Sequence, residues 1–372
     1  MRHDIGRRLP WLEPWVARSD DWICAAAWLP LLVAGKGDRM KKMLLICALI
    51  LALAFSHDVF SAGAPVPQIW FSLGGQGQPP ESNKSWYVLF YEPDAPWPEF
   101  MNHVRVAGML TQVLEKISDA NLARIVARLK EKHVALGVEM LAQAYTLPGV
   151  DAPPHCGGGV EGYAQPSETA AIAAKLKRAG ATLQYIAMDE PLWFGHYYNE
   201  KNACHSSIDN VVARIAANIR EYQKVFPDVI VGDGEPFPSI TAQPHWQSDY
   251  RQWLQSFNAV IGKPLAFTGI DINWGHKEWP DSVRAFANFA RDVRMPIGII
   301  YNAAPPTQTM TNEQWLNDAQ RNYAYIEREL AIVPSWAFFS SWVKFPGRIL
   351  SVDNALGEDY LVKQYLQLHG VK

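Results

Sequence analysis

The segment LQYIAMDEPLWFGH, residues 183–196, ends an apolar run in two adjacent carboxylates, Asp189 and Glu190, followed by Pro191. Leu183, Tyr185 and Ile186 suit a buried strand, whereas two acids are costly to bury without partners. The pair is therefore expected to emerge at the strand's C-terminal end, where α/β proteins keep their active sites. Trp193, Phe194, Tyr197 and Tyr198 follow at once, and flat aromatic faces beside carboxylates fit a sugar-processing cleft. Carboxylate pairs do acid–base and nucleophilic work when their surroundings separate their proton affinities. In glycoside hydrolysis one carboxyl protonates the leaving oxygen, and the other attacks the sugar or activates water.

Glu190 is the expected acid/base. Pro191 restrains the preceding residue towards extended geometry, and like-charge repulsion from Asp189 helps Glu190 keep its proton. Two carboxylates compete as its partner: Glu235 in VGDGEP is expected first, and Asp271 in GIDINW second. Glu139, Asn273 and Asn302 are candidate hydroxyl ligands, with Asp189, Tyr301 and His196 as further substrate contacts. Trp193, Trp274 and Trp342 are candidate stacking platforms, whereas Trp336 is expected in the core. The histidines lack metal-ligand spacing and HExxH is missing, so no metal site is expected. GGQG at 74–77 has no following Lys-Ser/Thr, and neither a GxSxG elbow nor a dinucleotide fingerprint is found. No cofactor is expected.

Eight strand-like runs position these groups: 69–73, 104–110, 134–141, 183–188, 229–231, 265–272, 297–301 and 336–342. Each is short and apolar, as strands buried on both faces should be. Amphipathic helices lie between them. Ser118 caps a helix with the stripe Leu122, Ile125, Val126 and Leu129; Ser167 opens one that Gly180 closes; and Thr311 with Gln314 forms a capping-box signature. Eight strand–helix repeats over roughly 250 residues predict an α/β fold, a single (β/α)8 TIM barrel. A doubly wound open sheet is the runner-up. In a barrel the carboxylates of strands three to six converge on one mouth.

Of the 372 residues, 49% are apolar, with 15 Trp, 14 Tyr and 15 Phe, enough for a sizeable core. A net charge of −3 with mixed signs gives no electrostatic case for nucleic acid, which asks for a basic stripe. Residues 40–62 read as a signal peptide: Met40-Lys41-Lys42, an apolar stretch too short to span a bilayer comfortably, and small residues around Ala62. Residues 1–39 then read as an upstream extension, with Met40 the true start, and 63–372 as the barrel. The expected location is periplasmic or secreted, with no stable membrane anchor after signal removal. Cys156 and Cys204 are the cysteines left beyond the signal. They lie in loops after consecutive strands, and export favours their pairing as a disulfide.

The Asp189-Glu190-Pro191 tripeptide resembles the Asn-Glu-Pro that ends the fourth strand in retaining (β/α)8 glycoside hydrolases, the clan of cellulases and β-galactosidases. That resemblance implies the acid/base role for Glu190 and an oligo- or polysaccharide substrate. Two departures accompany it. Asp189 stands where the clan has Asn, and IIYNAAP at the seventh strand offers Tyr301 and Asn302 where the clan has a nucleophilic glutamate. The expected activity is glycosidic-bond cleavage by two carboxylates. The alternative is a non-catalytic carbohydrate-binding barrel lacking a nucleophile.

Overall fold

Eight parallel strands close on themselves: β1 (Gln68–Ser72), β2 (Val104–Leu110), β3 (Ala135–Met140), β4 (Leu183–Asp189), β5 (Ile230–Phe237), β6 (Thr268–Ile272), β7 (Ile297–Ile300) and β8 (Trp336–Phe339). Every strand pairs with its sequence neighbour, and β8 returns to β1. The molecule is thus the expected (β/α)8 barrel, as seen in a computed structural model. It describes residues 66–73, 85, 87–92, 94–150, 153, 155–304, 309–341, 343, 345–351 and 356–371. The signal segment 40–62, the extension 1–39 and Trp342 lie outside the described residues. Among the described residues no helix is long and apolar enough to cross a membrane.

The principal helices are α1 (Thr111–Lys116), α2 (Asp119–Glu131), α3 (Pro166–Arg178), α4 (Ile208–Gln223), α5 (Trp246–Ile261), α6 (Trp279–Val293), α7 (Asn312–Ala324) and α8 (Glu358–Leu368). Their starts follow local chemistry. Ser118 Oγ accepts the Asn121 N–H at 3.2 Å before α2. Thr311 and Gln314 exchange side-chain and backbone bonds at 3.2 and 2.8 Å before α7, the predicted capping box. The α3 start differs from expectation: Gln165, not Ser167, is the N-cap. Pro166 takes the first helical position, where its fixed φ is preorganised and its missing N–H costs nothing.

Side chains alternate between the barrel interior and the sheet–helix layer. Ile69, Phe71, Val138, Ile186, Met188, Ile270, Ile299 and Phe339 face outward into the main core. Trp70, Val106, Ala135, Tyr185, Phe267, Trp336 and Phe338 fill the barrel itself, so Trp336 is core as expected. Trp70 dominates this plug. A Cβ on Gly137 would lie 2.5 Å from its ring, so glycine there is what admits an indole inside the barrel. The next interior positions towards the strands' C-terminal ends are Ser72, Glu139, Asp189, Gly234 and Asp271, and here the apolar filling stops.

Candidate active site

Above the Trp70 plug opens a cavity of about 600 Å³, within the roughly 300–1,000 Å³ of small-molecule sites. Six acidic residues line it, Glu139, Glu161, Asp189, Glu190, Asp233 and Asp271; the Asp233 carboxylate is bonded to Trp253 and Tyr250 behind β5, which leaves five facing the cavity. Ser72, Gln112, Ser340 and Ser341 add hydrogen-bonding groups, and Lys116 reaches it from the exposed end of α1. Among the described residues none of the five acids enters an ion pair. Among the described residues no group of three or more His, Cys, Asp or Glu is arranged to hold a metal ion.

Interior alternation delivers three of the acids. Glu139 follows Ala135 and Gly137 up β3, Asp189 follows Tyr185 and Ala187 up β4, and Asp271 follows Phe267 and Gly269 to the end of β6. Glu139 is anchored: the Trp70 indole N–H donates to its Oε1 at 2.8 Å, and Ser72 Oγ donates to the same oxygen. Burial raises its proton affinity, against the pull of those two donors.

Glu190 comes from the turn beyond β4. Its φ of +43° lies in the left-handed region, not the extended geometry expected before Pro191. The β4 strand therefore ends in a strained residue, of a kind that persists only where surrounding contacts over-determine it. Those contacts are visible: the Glu190 N–H donates to the Gly234 carbonyl, and its own carbonyl accepts from Phe194, both at 3.0 Å. Glu190 and Asp271 both line the cavity, close enough that each alters the other's hold on its proton.

Electrostatics separates the members of this cluster. Asp189, Glu190 and Asp271 keep part of their surface open to the cavity, yet protein surrounds them on most sides. Loss of solvent is the first cause in each case. Asp189 is pushed up to about 8 by burial, then by the charges of Glu161, Asp271 and Glu139. Asp271 is pushed up to about 7 by burial and Glu161, while the neighbouring Glu190 pulls it down. Glu190 stands well above the ordinary carboxylate range through burial, then Asp271 and Asp189. At neutral pH the cluster therefore retains protons that ordinary carboxyls have lost.

Glu235, the first-choice partner, is not in the cavity lining. It is fully buried behind the barrel wall, and its two oxygens accept the N–H groups of Leu192 at 2.7 Å and Trp193 at 3.0 Å. It shares strand parity with Val231, so alternation turns it outward with Asp233. Asp233 likewise bonds outward, accepting from the Trp253 indole at 2.9 Å and the Tyr250 hydroxyl at 3.4 Å. Glu235 holds the turn that carries Glu190, and Asp271, the other expected partner, is the one that lines the cavity.

Several other expected contacts are turned elsewhere. The Tyr301 ring is buried in the sheet–helix layer, with its hydroxyl donating to Glu327 at 2.6 Å. Asn302 accepts the Trp274 indole N–H at 2.5 Å, and Trp274 packs edge-on against Trp279. Trp193 leans on Tyr197, and His196 Nδ1 contacts the Ser206 carbonyl at 2.7 Å. Asn273 is exposed and accepts the Gly275 N–H at 3.2 Å, closing its own turn. None of these lines the cavity, whose aromatic contribution among the described residues is Phe338 at its floor.

Three lining residues were not anticipated. Ser72 shares parity with Trp70, which a strict alternation over β1 would have flagged. Lys116 ends a short helix invisible to periodicity. Glu161 lies in the long connection between β3 and α3, close to Cys156, which is disulfide-bonded to Cys204 as expected, with Cα atoms 4.8 Å apart.

No protein-family model matches the chain, and no curated protein does. Solved structures do. A GH53 catalytic domain from Ignisphaera aggregans is 10% identical, covering 82% of this chain and 98% of its own, with a TM-score of 0.46. Xylanase 10B from Thermotoga maritima is 13% identical over 82% and 96%, at 0.48. The 3-keto-D-glucoside 4-epimerase YcjR from E. coli is 11% identical over 82% and 99%, at 0.42. The likeness to all three is one of barrel architecture and says nothing about chemistry.

Proposed function

We propose that this chain is an exported glycoside hydrolase in which Glu190 is the proton donor and Asp271 its anionic partner. The observation that carries the reading is the convergence of Glu190 and Asp271 in one cavity lined by acids, both holding protons above the ordinary carboxylate range. It places a proton donor at one site with a carboxyl able to ionise, the two groups that glycosidic cleavage requires. Substrate entering the cleft presents its glycosidic oxygen to Glu190. Asp271 is then free to act on the anomeric carbon, directly or through water. Glu139, Ser72, Gln112 and Ser340 supply hydroxyl ligands. The Cys156–Cys204 bridge fits an oxidising compartment, in keeping with the signal-like segment 40–62.

One observation favours a non-catalytic carbohydrate-binding barrel. Where the retaining clan has a nucleophilic glutamate, the end of β7 offers Tyr301 and Asn302, both engaged away from the cavity. The hydrolase reading therefore rests on Asp271 in that role, and the separation of its carboxyl from Glu190, ~5–5.5 Å for retention or ~6.5–9.5 Å for inversion, decides the stereochemistry. The test is reducing-end release from a broad panel of oligo- and polysaccharides, with the wild type and Glu190→Gln. Turnover that falls at least about 100-fold in the variant supports the hydrolase. Saturable glycan binding without wild-type turnover favours the binding barrel.

A further inference from the structure

Glu161 enters the cleft differently from the other four acids. They sit on strands or at a strand end, whereas Glu161 sits in the connection between β3 and α3, with its side chain exposed at the cavity rim. That connection is built to hold one position. The Cys156–Cys204 disulfide ties it to the loop after β4. Gly157 N–H donates to the Asn202 carbonyl at 2.9 Å, and the Asn202 amide donates back to the Gly158 carbonyl. Behind Glu161, Gln143 N–H donates to the Gly162 carbonyl, and Ala164 N–H to the Gln143 carbonyl, each at 2.8 Å. The fully buried Gln143 side chain donates to the Pro191 carbonyl at 2.6 Å, so one residue braces both Glu161's segment and the turn of Glu190. The chain also passes directly over β4: a Cβ on Gly162, whose φ is +83°, would lie 3.2 Å from the Asp189 carbonyl oxygen.

We propose that Glu161 is a positioning residue of the cleft: the Cys156–Cys204 bridge and the Gln143 bonds hold its carboxylate at the mouth of the cavity that Asp189, Glu190 and Asp271 line, where it sets the charge those acids meet. The groups facing that cluster are of one sign on nearly every side. Glu139 faces it from β3, Glu161 from the connection between β3 and α3, and Asp233 and Glu235 lie behind β5; Lys116 is the cation lining the cavity among the described residues. After burial, Glu161 is the largest cause of the raised proton affinity of both Asp189 and Asp271. Being exposed and outside the core, it can be neutralised without breaking the barrel. The consequence for turnover rests on the hydrolase reading; the effect on protonation does not.

The experiment is a carboxyl ¹³C titration of the full chain, labelled at Asp and Glu, with resonances assigned through Asp189→Asn and Asp271→Asn. Glu161→Gln is expected to lower the midpoints of Asp189 and Asp271 by about 1 pH unit. Cys156→Ser/Cys204→Ser, with the charge kept and the clamp removed, is expected to lower them by a smaller amount. Gly162→Ala, which displaces the same segment from β4, gives a second reading of the clamp if the double variant fails to fold. Unchanged midpoints in Glu161→Gln overturn the proposal. Midpoints that fall in Glu161→Gln but stay fixed in both loop variants overturn the clamp's part in it. Absence of turnover on every glycan rejects the hydrolase reading and leaves the titration readable.

Discussion

At the scale of single residues, the division of labour among the acids follows from where each oxygen finds hydrogen. Glu190 faces the cavity with its proton held above the ordinary carboxylate range, whereas the two oxygens of Glu235 accept two backbone N–H groups behind β5. A carboxylate with two such donors is a structural group: it satisfies the turn that carries Glu190 beyond β4. Glu235→Gln keeps the shape but leaves one side-chain oxygen to serve two N–H donors and places a new amide donor in a buried pocket. Its expected cost is about 1–3 kcal/mol of stability, measured by urea unfolding. A variant as stable as the wild type contradicts the structural assignment of Glu235. Asp189, Glu190, Asp271 and Glu139 were legible in the sequence because acids closing apolar runs have few places to go. The aromatics were less legible. Trp274, Trp193 and Tyr301 adjoin polar residues in the chain, but their partners, Trp279, Tyr197 and Glu327, are set by tertiary packing.

At the scale of elements, the strand order and most helix starts could be read directly, because buried parallel strands are short apolar runs and caps are local. The reading failed at β5. Residues 229–231 were expected as the strand and VGDGEP as its exit, yet the strand runs on to Phe237. Gly234 pairs with Asp189, and Pro236 sits opposite Asp271, so pairing partners on β4 and β6 carry the strand through residues of poor strand propensity. Once the strand is extended, alternation sends Asp233 and Glu235 outward, and the expected partner of Glu190 is lost with them. The loops show the converse. The segment bearing Glu161 has no periodicity to read, and its place in the cleft comes from a cross-link and backbone bonds to distant residues.

At the scale of the whole molecule, the barrel holds several carboxyl groups that bind protons more tightly when folded than when unfolded. Asp189 is pushed up to about 8, Asp233 and Asp271 to about 7, and Glu358 to about 8, with burial the leading cause in each. Unfolded, the same groups lose their protons near pH 4. Between those limits the folded chain binds more protons, so its stability falls as pH rises. The contribution is complete below about pH 4 and is lost as pH rises through 7 to 8. Thermal unfolding across this window is expected to give a Tm that declines towards alkaline pH, with a shallower decline in Asp189→Asn. A Tm that rises from pH 5 to pH 8 contradicts the cluster's protonation. The cost is consistent with a cleft kept ready for proton transfer, since a core built for stability alone would not place uncompensated acids above the Trp70 plug.

The most direct test of the central claim, that Glu190 protonates a departing sugar oxygen, compares two substrates of the same glycone in wild type and Glu190→Gln. One is the natural glycan, whose leaving oxygen needs a proton; the other is a dinitrophenyl glycoside, whose leaving group does not. The account predicts a loss of at least about 100-fold on the glycan and less than about 10-fold on the dinitrophenyl glycoside. Equal losses on both substrates, or no loss on either, would contradict it.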